Sequence, residues 1–262
     1  MTGRVCVYHE VRGTALWITL NRPDAINSLN DAVADSLAAG LDAAATDNAL
    51  RCIIIRTEGR AFCVGADLKV VQEKSDEGTM DTFVNRLSDV FNQIETFPKP
   101  VIAAVNGLAL AGGLELILCY DSVIAAESAK IGDAHANYGL IPGGGGSVRL
   151  PRKIGPTRAK YLMYTGDFLE ATALERMGLF NQVVLDASLE KTVAMLAAHL
   201  GEKSPLGQKL IKQLIDNSLE QPKETALHNE LMAIATHSQS QDWIEGLAAF
   251  AENVSQNLPG AN

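Results

Sequence analysis

A chain of 262 residues, 47% hydrophobic and 20% charged, has enough apolar material for one large core, which excludes a disordered chain, a collagen-like repeat or a small disulfide-stapled module. Its 22 Lys and Arg against 31 Asp and Glu leave a formal charge of -9. A surface that acidic repels a phosphate backbone and excludes nucleic acid as a general partner, while a phosphorylated small ligand needs only a local basic patch.

The cysteines Cys6, Cys52, Cys63 and Cys119 form no CxxC pair and stand at no zinc-ligand spacing with histidine. They read as small apolar residues of a reduced compartment, and no metal site is expected. The N-terminal MTGRVCVYHE has no basic stretch followed by an apolar run, so no signal peptide is expected. Val101 to Tyr120 has the length of a membrane span, but Asn106, Glu115 and several glycines make it a costly one. A cytoplasmic protein without membrane contact is the expectation.

In chain order, the β-branched and aromatic residues of Val5 to Leu20 around Gly13 predict a hairpin, broken by Asn21-Arg22-Pro23-Asp24. Asn30 or Asp31 is placed to cap a helix with Val33, Leu37 and Leu41 on one face. Cys52 to Ile55 is a wholly apolar run, the pattern of a strand buried on both faces. A glycine-containing loop is expected from Glu58 to Asp67, then a polar, weakly patterned stretch to Gly78. Helical spacing returns in Phe83, Leu87, Val90, Phe91 and Ile94, up to Pro98. Pro100 to Val105 and Ser122 to Ala126 predict further buried strands, with a helix from Gly112 to about Cys119 between them. Strands alternating with helices point to α/β layering with crossovers. Beyond about residue 195 the strand signal ends, and Ser204-Pro205 opens a helical tail through Phe250. Its apolar positions are Leu210, Leu214, Leu231, Ile234, Trp243, Leu247 and Phe250. The expected division is a core over 1–195 and a helical region over 196–262. Such a tail must pack on the core or on another subunit.

Of the glycine clusters, Gly143 to Gly146 lacks both a GK[ST] ending and the G-x-G-x-x-G spacing of a nucleotide loop, so tight packing at a helix start is favoured. Gly112-Gly113 follows a strand and opens a helix. There unpaired N–H groups and the positive end of the dipole meet any ligand oxygen that the missing side chains admit, which is half of an oxyanion hole. Ala61 to Asp67 is placed to supply the other half. Glu115, one turn beyond Gly112, shares its face, and its apolar neighbours Leu114, Leu116, Ile117 and Leu118 require that it be paired, protonated or functional.

These stretches resemble the enoyl-CoA hydratase/isomerase (crotonase) superfamily. The likeness runs in order through Asn21-Arg22-Pro23, Asn27-Ser28-Leu29-Asn30, Gly59 to Leu68, Lys99 to Gly107, Ala111 to Leu116, Gly139 to Gly146, Leu150-Pro151-Arg152, Thr165-Gly166 and Ala173 to Leu179. The resemblance implies an α/β, crotonase-like spiral of ββα units with a helical C-terminal trimerisation region, assembling as a homotrimer or dimer of trimers. The implied substrate is an acyl-CoA thioester, with CoA arriving as part of it and no separate cofactor. The thioester carbonyl would sit between the N–H groups of Ala66 and Gly112. Ala25, Asn27, Leu29, Phe62, Cys63, Val64, Gly65, Asp67, Leu68, Lys69 and Gly113 would line the substrate and CoA path.

Glu115 falls on the family's first catalytic glutamate. Where hydratases carry a second glutamate, four residues before Gly139, this chain has His135. A Glu–His pair favours carboxylate plus imidazolium, one base and one acid. Hydration with Glu115 activating water and His135 protonating C2 is the leading expectation. Double-bond isomerisation, C–C hydrolysis of a β-diketone with His135 activating water, and a non-catalytic acyl-CoA-binding subunit are the alternatives. Asp133 is placed either to orient His135 or to lie exposed, and Asn137 and Tyr138 are candidate pocket residues with little to recommend them over packing. His9, His199, His228 and His237 are expected on surfaces. Lys69 and the set Arg149, Arg152, Lys153, Arg158 and Lys160 could meet CoA phosphates, with solvated helix faces and subunit contacts accounting for most of them. The family's basic C-terminal tail has no counterpart in Ala251 to Asn257, which carries no Lys or Arg.

Overall fold

The computed structural model of the chain describes residues 5–252. It opens with the expected hairpin, β1 (Val7–Arg12) and β2 (Ala15–Leu20), turning at Gly13, whose φ of +59° is one that side chains disfavour. A short 3-10 turn, Pro23–Ala25, leads to α1 (Asp31–Thr46), capped by Asn30, whose side chain accepts from the Val33 N–H at 3.0 Å. Then follow β3 (Cys52–Thr57), β4 (Ala61–Cys63), α2 (Leu68–Asp76) and α3 (Met80–Glu95). The next repeat is β5 (Val101–Val105), β6 (Leu108–Leu110) and α4 (Gly112–Ile117). The third is β7 (Ser122–Ala126), β8 (Lys130–Gly132), a 3-10 turn at His135–Tyr138, α5 (Gly146–Ile154) and α6 (Pro156–Thr165). The chain goes on through β9 (Leu169–Glu170), α7 (Ala171–Arg176), β10 (Gln182–Val184) and α8 (Leu189–Gly201). It finishes in α9 (Pro205–Ser218), α10 (Lys223–His237) and α11 (Gln241–Glu252).

Each repeat sends its long strand to one sheet and its short strand to the other. The first sheet runs β1-β2-β3-β5-β7-β10, parallel except for the hairpin, and the second runs β4-β6-β8-β9, parallel except for β8–β9. The ββα spiral is therefore present. The apolar run in β3 has its cause in two separate cores. Ile53 and Ile55 pack with Leu37, Leu41 and Phe91 on one face, and Cys52 and Ile54 pack with Trp17, Ile102 and Val193 on the other. Strand residues alternate faces, so a strand buried on both must be apolar throughout. Each fully buried isoleucine contributes about 2 kcal/mol.

Two expectations change. The stretch 58–67 is not all loop, because it holds β4, and the polar stretch after it forms α2, a helix with no buried residue. The division expected at residue 195 falls within α8, whose Leu189, Val193 and Ala197 belong to the second core. The tail proper begins at α9, tied to the sheet by the Lys212–Asp121 ion pair at 2.9 Å. Leu231, Ile234, Leu247 and Phe250 are exposed on this single chain, Phe250 at 85%. None of the helices among the described residues is long and apolar enough to cross a membrane. Of the Ala251–Asn257 ending, only Ala251 and Glu252 lie within the described residues.

Candidate active site

The ends of the short strands build the site. After β4 the chain passes through Gly65, at φ +90°, and pairs briefly with the Leu29 loop. In that bridge the Leu29 N–H donates to Gly65 O and the Asp67 N–H donates to Leu29 O, both at 2.8 Å. The N–H of the residue between them, Ala66, therefore points away from the ladder. After β6 the chain enters α4 through Ala111, held at φ 50° and ψ −119°, and Gly112 is the first helical residue, whose N–H has no partner within the helix. The two segments nearly touch: a Cβ built on Gly112 would lie 3.2 Å from Gly65 Cα and 3.5 Å from Ala66 N. Gly113 is constrained more severely, since a Cβ there would overlap the Cys63 carbonyl. Two unspent N–H donors thus sit side by side, the geometry an oxyanion requires.

Glu115 lies on the same turn, 3% exposed. Its Oε1 accepts from the Gly144 N–H at 2.7 Å and the Gly146 N–H at 2.9 Å. The glycine run is thus a carboxylate cradle as well as a helix start, an interaction that the sequence reading missed. A Cβ on Gly144 would meet the Phe91 ring at 2.7 Å and Glu115 Oε2 at 3.0 Å, and one on Gly145 would overlap the Arg149 guanidinium. Arg149 locks the cradle from behind, donating to Gly144 O (2.7 Å), Asn92 Oδ1 (2.6 Å) and Glu95 Oε2 (2.9 Å). Burial pushes the Glu115 carboxyl above the ordinary range. The Gly146 N–H, the charge of His135 and the Gly144 N–H oppose that rise, and Asp133 adds to it.

His135 opens the 3-10 turn after β8. Its Nδ1 lies 3.1 Å from Oδ1 of Asp133, which is 1% exposed. Burial alone would lower the imidazole, but the hydrogen bond and charge of Asp133 and the charge of Glu115 outweigh it and raise His135 above its usual value. Asp133 is buried against the imidazole, so of the two placements the sequence left open the exposed one does not occur.

Other expected site residues divide. Ala25 and Val64 are half-buried, and Leu68 and Lys69 are exposed. Leu29, Phe62 and Cys63 have their side chains in the first core, so their backbone is what they could offer a ligand. Asn27 is a clip. Buried and at φ 52°, it donates through its side chain to Glu58 O and Ala61 O at 2.8 Å and accepts from the Arg22 N–H at 2.9 Å, so both side-chain amide donors are spent inside the protein. Asp67 is held by Arg22 at 2.8 Å. Among the basic residues, Arg149 serves the cradle, Lys153 donates to Tyr120 O at 3.1 Å and Arg152 pairs with Glu220 at 3.1 Å. Lys69, Arg158 and Lys160 remain exposed cations. His9, His199 and His228 are on the surface as expected, while His237 is half-buried, edge-on to Trp243 at 5.7 Å.

Long and short strands wound into a spiral, with paired N–H donors at the ends of the short strands and a cradled carboxylate one turn away, define an α/β fold of the crotonase kind. The comparisons agree. The family described as "Enoyl-CoA hydratase/isomerase" matches residues 10–259. Enoyl-CoA hydratase domain-containing protein 2, mitochondrial, of Mus musculus is 37% identical over 249 residues, 93% of this chain and 83% of that protein. The 1,2-epoxyphenylacetyl-CoA isomerase of Escherichia coli K12 is 36% identical over 257 residues, 97% and 98% of the two chains. The crystal structure of enoyl-CoA hydratase from Bacillus anthracis superposes with a TM-score of 0.92 at 34% identity, covering 98% of this chain and 100% of that one. This chain is a member of the enoyl-CoA hydratase/isomerase family. The cytoplasmic expectation is corrected here: the mouse relative is named mitochondrial while the similar Bacillus protein is bacterial, so kinship assigns no compartment.

Proposed function

We propose that this chain is an enoyl-CoA hydratase-like lyase that adds water across the C2–C3 double bond of an α,β-unsaturated acyl-CoA. The observation that carries the reading is Glu115, with Oε1 pinned by the Gly144 and Gly146 N–H groups one turn from the Gly112 N–H. Pinning one oxygen leaves Oε2 to act as base. The thioester oxygen lies between the Ala66 and Gly112 N–H groups, each worth about 3 kcal/mol when charge develops there. Glu115 takes a proton from water as its oxygen bonds to C3, the enolate forms in the N–H pair, and His135 delivers a proton to C2. Protonated Glu115 and neutral His135 then exchange protons with solvent. The reaction draws on these groups alone, with CoA carried in on the substrate.

The Asp133–His135 pair favours a second reading. A histidine backed by a buried carboxylate also serves to activate water against one carbonyl of a cyclic 1,3-dicarbonyl acyl-CoA, cleaving a C–C bond. Loss of the enoyl-thioester absorbance with crotonyl-CoA and with a longer enoyl-CoA, for wild type beside His135→Glu, separates the readings. The proposal expects turnover by wild type. Turnover by His135→Glu alone would overturn it, making the scaffold that of a hydratase and the native reaction a different one.

A further inference from the structure

We propose that Asp133 is a positioning residue for His135: its buried carboxylate holds the imidazole by Nδ1 and leaves Nε2 as the ring atom that exchanges a proton with the substrate. The inference rests on the hydratase reading for what the histidine does, though not for how it is held.

Backbone and side chain agree on this arrangement. In a continuing strand, residues 133 and 135 would share a face roughly 7 Å apart. Instead β8 stops at Gly132 and the chain kinks at Ala134, which takes φ 59° and ψ −14° despite its Cβ. The kink lets the His135 N–H donate to Asp133 O at 2.8 Å and draws the ring onto the carboxylate at 3.1 Å. A buried carboxylate is costly unless paired, and His135 is the ion-pair partner that Asp133 has in the structure. A carboxylate bonded to Nδ1–H fixes the tautomer, so the neutral ring carries its lone pair on Nε2. The charged groups acting on the ring are Asp133 from its own turn and Glu115 from α4. The helix packed against the turn, α6, brings Arg158 and Lys160, both exposed. Two carboxylates against one imidazole favour its protonated form, the form an acid needs.

The test is a pH titration of protein labelled with 15N in its histidine rings, with the His135 signal assigned by its loss in His135→Gln. In wild type, neutral His135 is expected as the Nδ1–H tautomer, titrating above free imidazole. An Nε2–H tautomer in wild type would overturn the proposal without any variant. Asp133→Asn, which keeps the shape and removes the charge, is expected to move the His135 titration down by about one unit. With crotonyl-CoA it should lower kcat about 10-fold, shift the alkaline limb of kcat down in step and leave KM within about 2-fold. In a His135→Gln background the same change should cost nothing further. An unmoved titration, or an equal loss of kcat in that background, would reduce Asp133 to packing. If the titration moves as expected while wild type hydrates no enoyl-CoA, the hydratase reading fails and the positioning stands.

Discussion

The two walls of the site are made of different materials. One wall, carrying the Ala66 and Gly112 N–H groups and Glu115, is set by main chain: Gly65 at positive φ, Gly113 against the Cys63 carbonyl and two glycine N–H groups on the carboxylate. It is buried and leans on the first core through Phe62, Phe91 and Leu114. The other wall is a single 3-10 turn, held by the Asp133–His135 contact, by the Asn137 amide donating to Gly166 O at 3.0 Å and by packing against α6, with Tyr138 in it and Leu140 and Ile141 beyond it exposed. A wall built from backbone tolerates few substitutions. The turn, set by side chains, is where this chain carries histidine.

The largest effect is expected on the first wall. Glu115→Gln keeps the hydrogen bonds from Gly144 and Gly146 to Oε1 and removes the base, so crotonyl-CoA hydration should fall by about 10³-fold or more while thioester binding, read by calorimetry, persists. Full activity in that variant would mean that the cradle does not hold the base. The wild-type pH profile should be bell-shaped. Activity needs deprotonated Glu115 and is lost as pH falls through its raised value, above the usual carboxylate range. It also needs protonated His135 and is lost as pH rises through that group's raised value, above the usual imidazole range. The two limbs belong to the coupled pair.

Gly113→Ala should come next. The new methyl overlaps the Cys63 carbonyl and forces β4 and the start of α4 apart, spreading the two N–H donors. We expect kcat to fall about 10²-fold with a smaller change in KM, because the donors act mainly on the charge of the transition state. A variant that loses KM and keeps kcat would place the anion elsewhere.

This contrast also explains what was legible in the sequence. Long apolar strands such as β3 and β5, and the helix carrying Phe83, Leu87 and Phe91, announce themselves because burial on one or two faces imposes a residue pattern. Strand β4 is three residues long, too short to display a period, and α2 buries nothing, so no apolar stripe marks it. Glu115 stood out as a charge among apolar neighbours and Gly112 as a glycine opening a helix. The cradle did not, because a backbone N–H leaves no trace in residue identity: Gly144 and Gly146 read only as small. Arg149 looked like a free cation because Asn92 and Glu95, its partners, stand on another helix more than fifty residues earlier. Asp133 was visible as a neighbour of His135, but its burial depends on the kink at Ala134, which no spacing rule supplies.

The smallest catalytic effect sharpens the comparison from the side of stability. Asn27 is expected along the substrate path, and its side chain is bonded inside the loop that carries Leu29, the residue whose backbone brackets Ala66. Asn27→Ala removes the side-chain partner of the half-buried Glu58 carbonyl and of the Arg22 N–H, leaves the Ala61 carbonyl with only Thr57 Oγ1 at 3.1 Å, and places a less tolerant residue at φ 52°. The loss of stability should be about 2–4 kcal/mol, visible as a Tm lower by several degrees. Catalysis should suffer less than about 10-fold, because the Leu29 ladder to Gly65 and Asp67 and the Arg22–Asp67 ion pair still hold the strand that presents Ala66. A variant as stable as wild type but with KM raised 10-fold or more would return Asn27 to the ligand. The backbone wall would then need a side chain to meet its substrate after all.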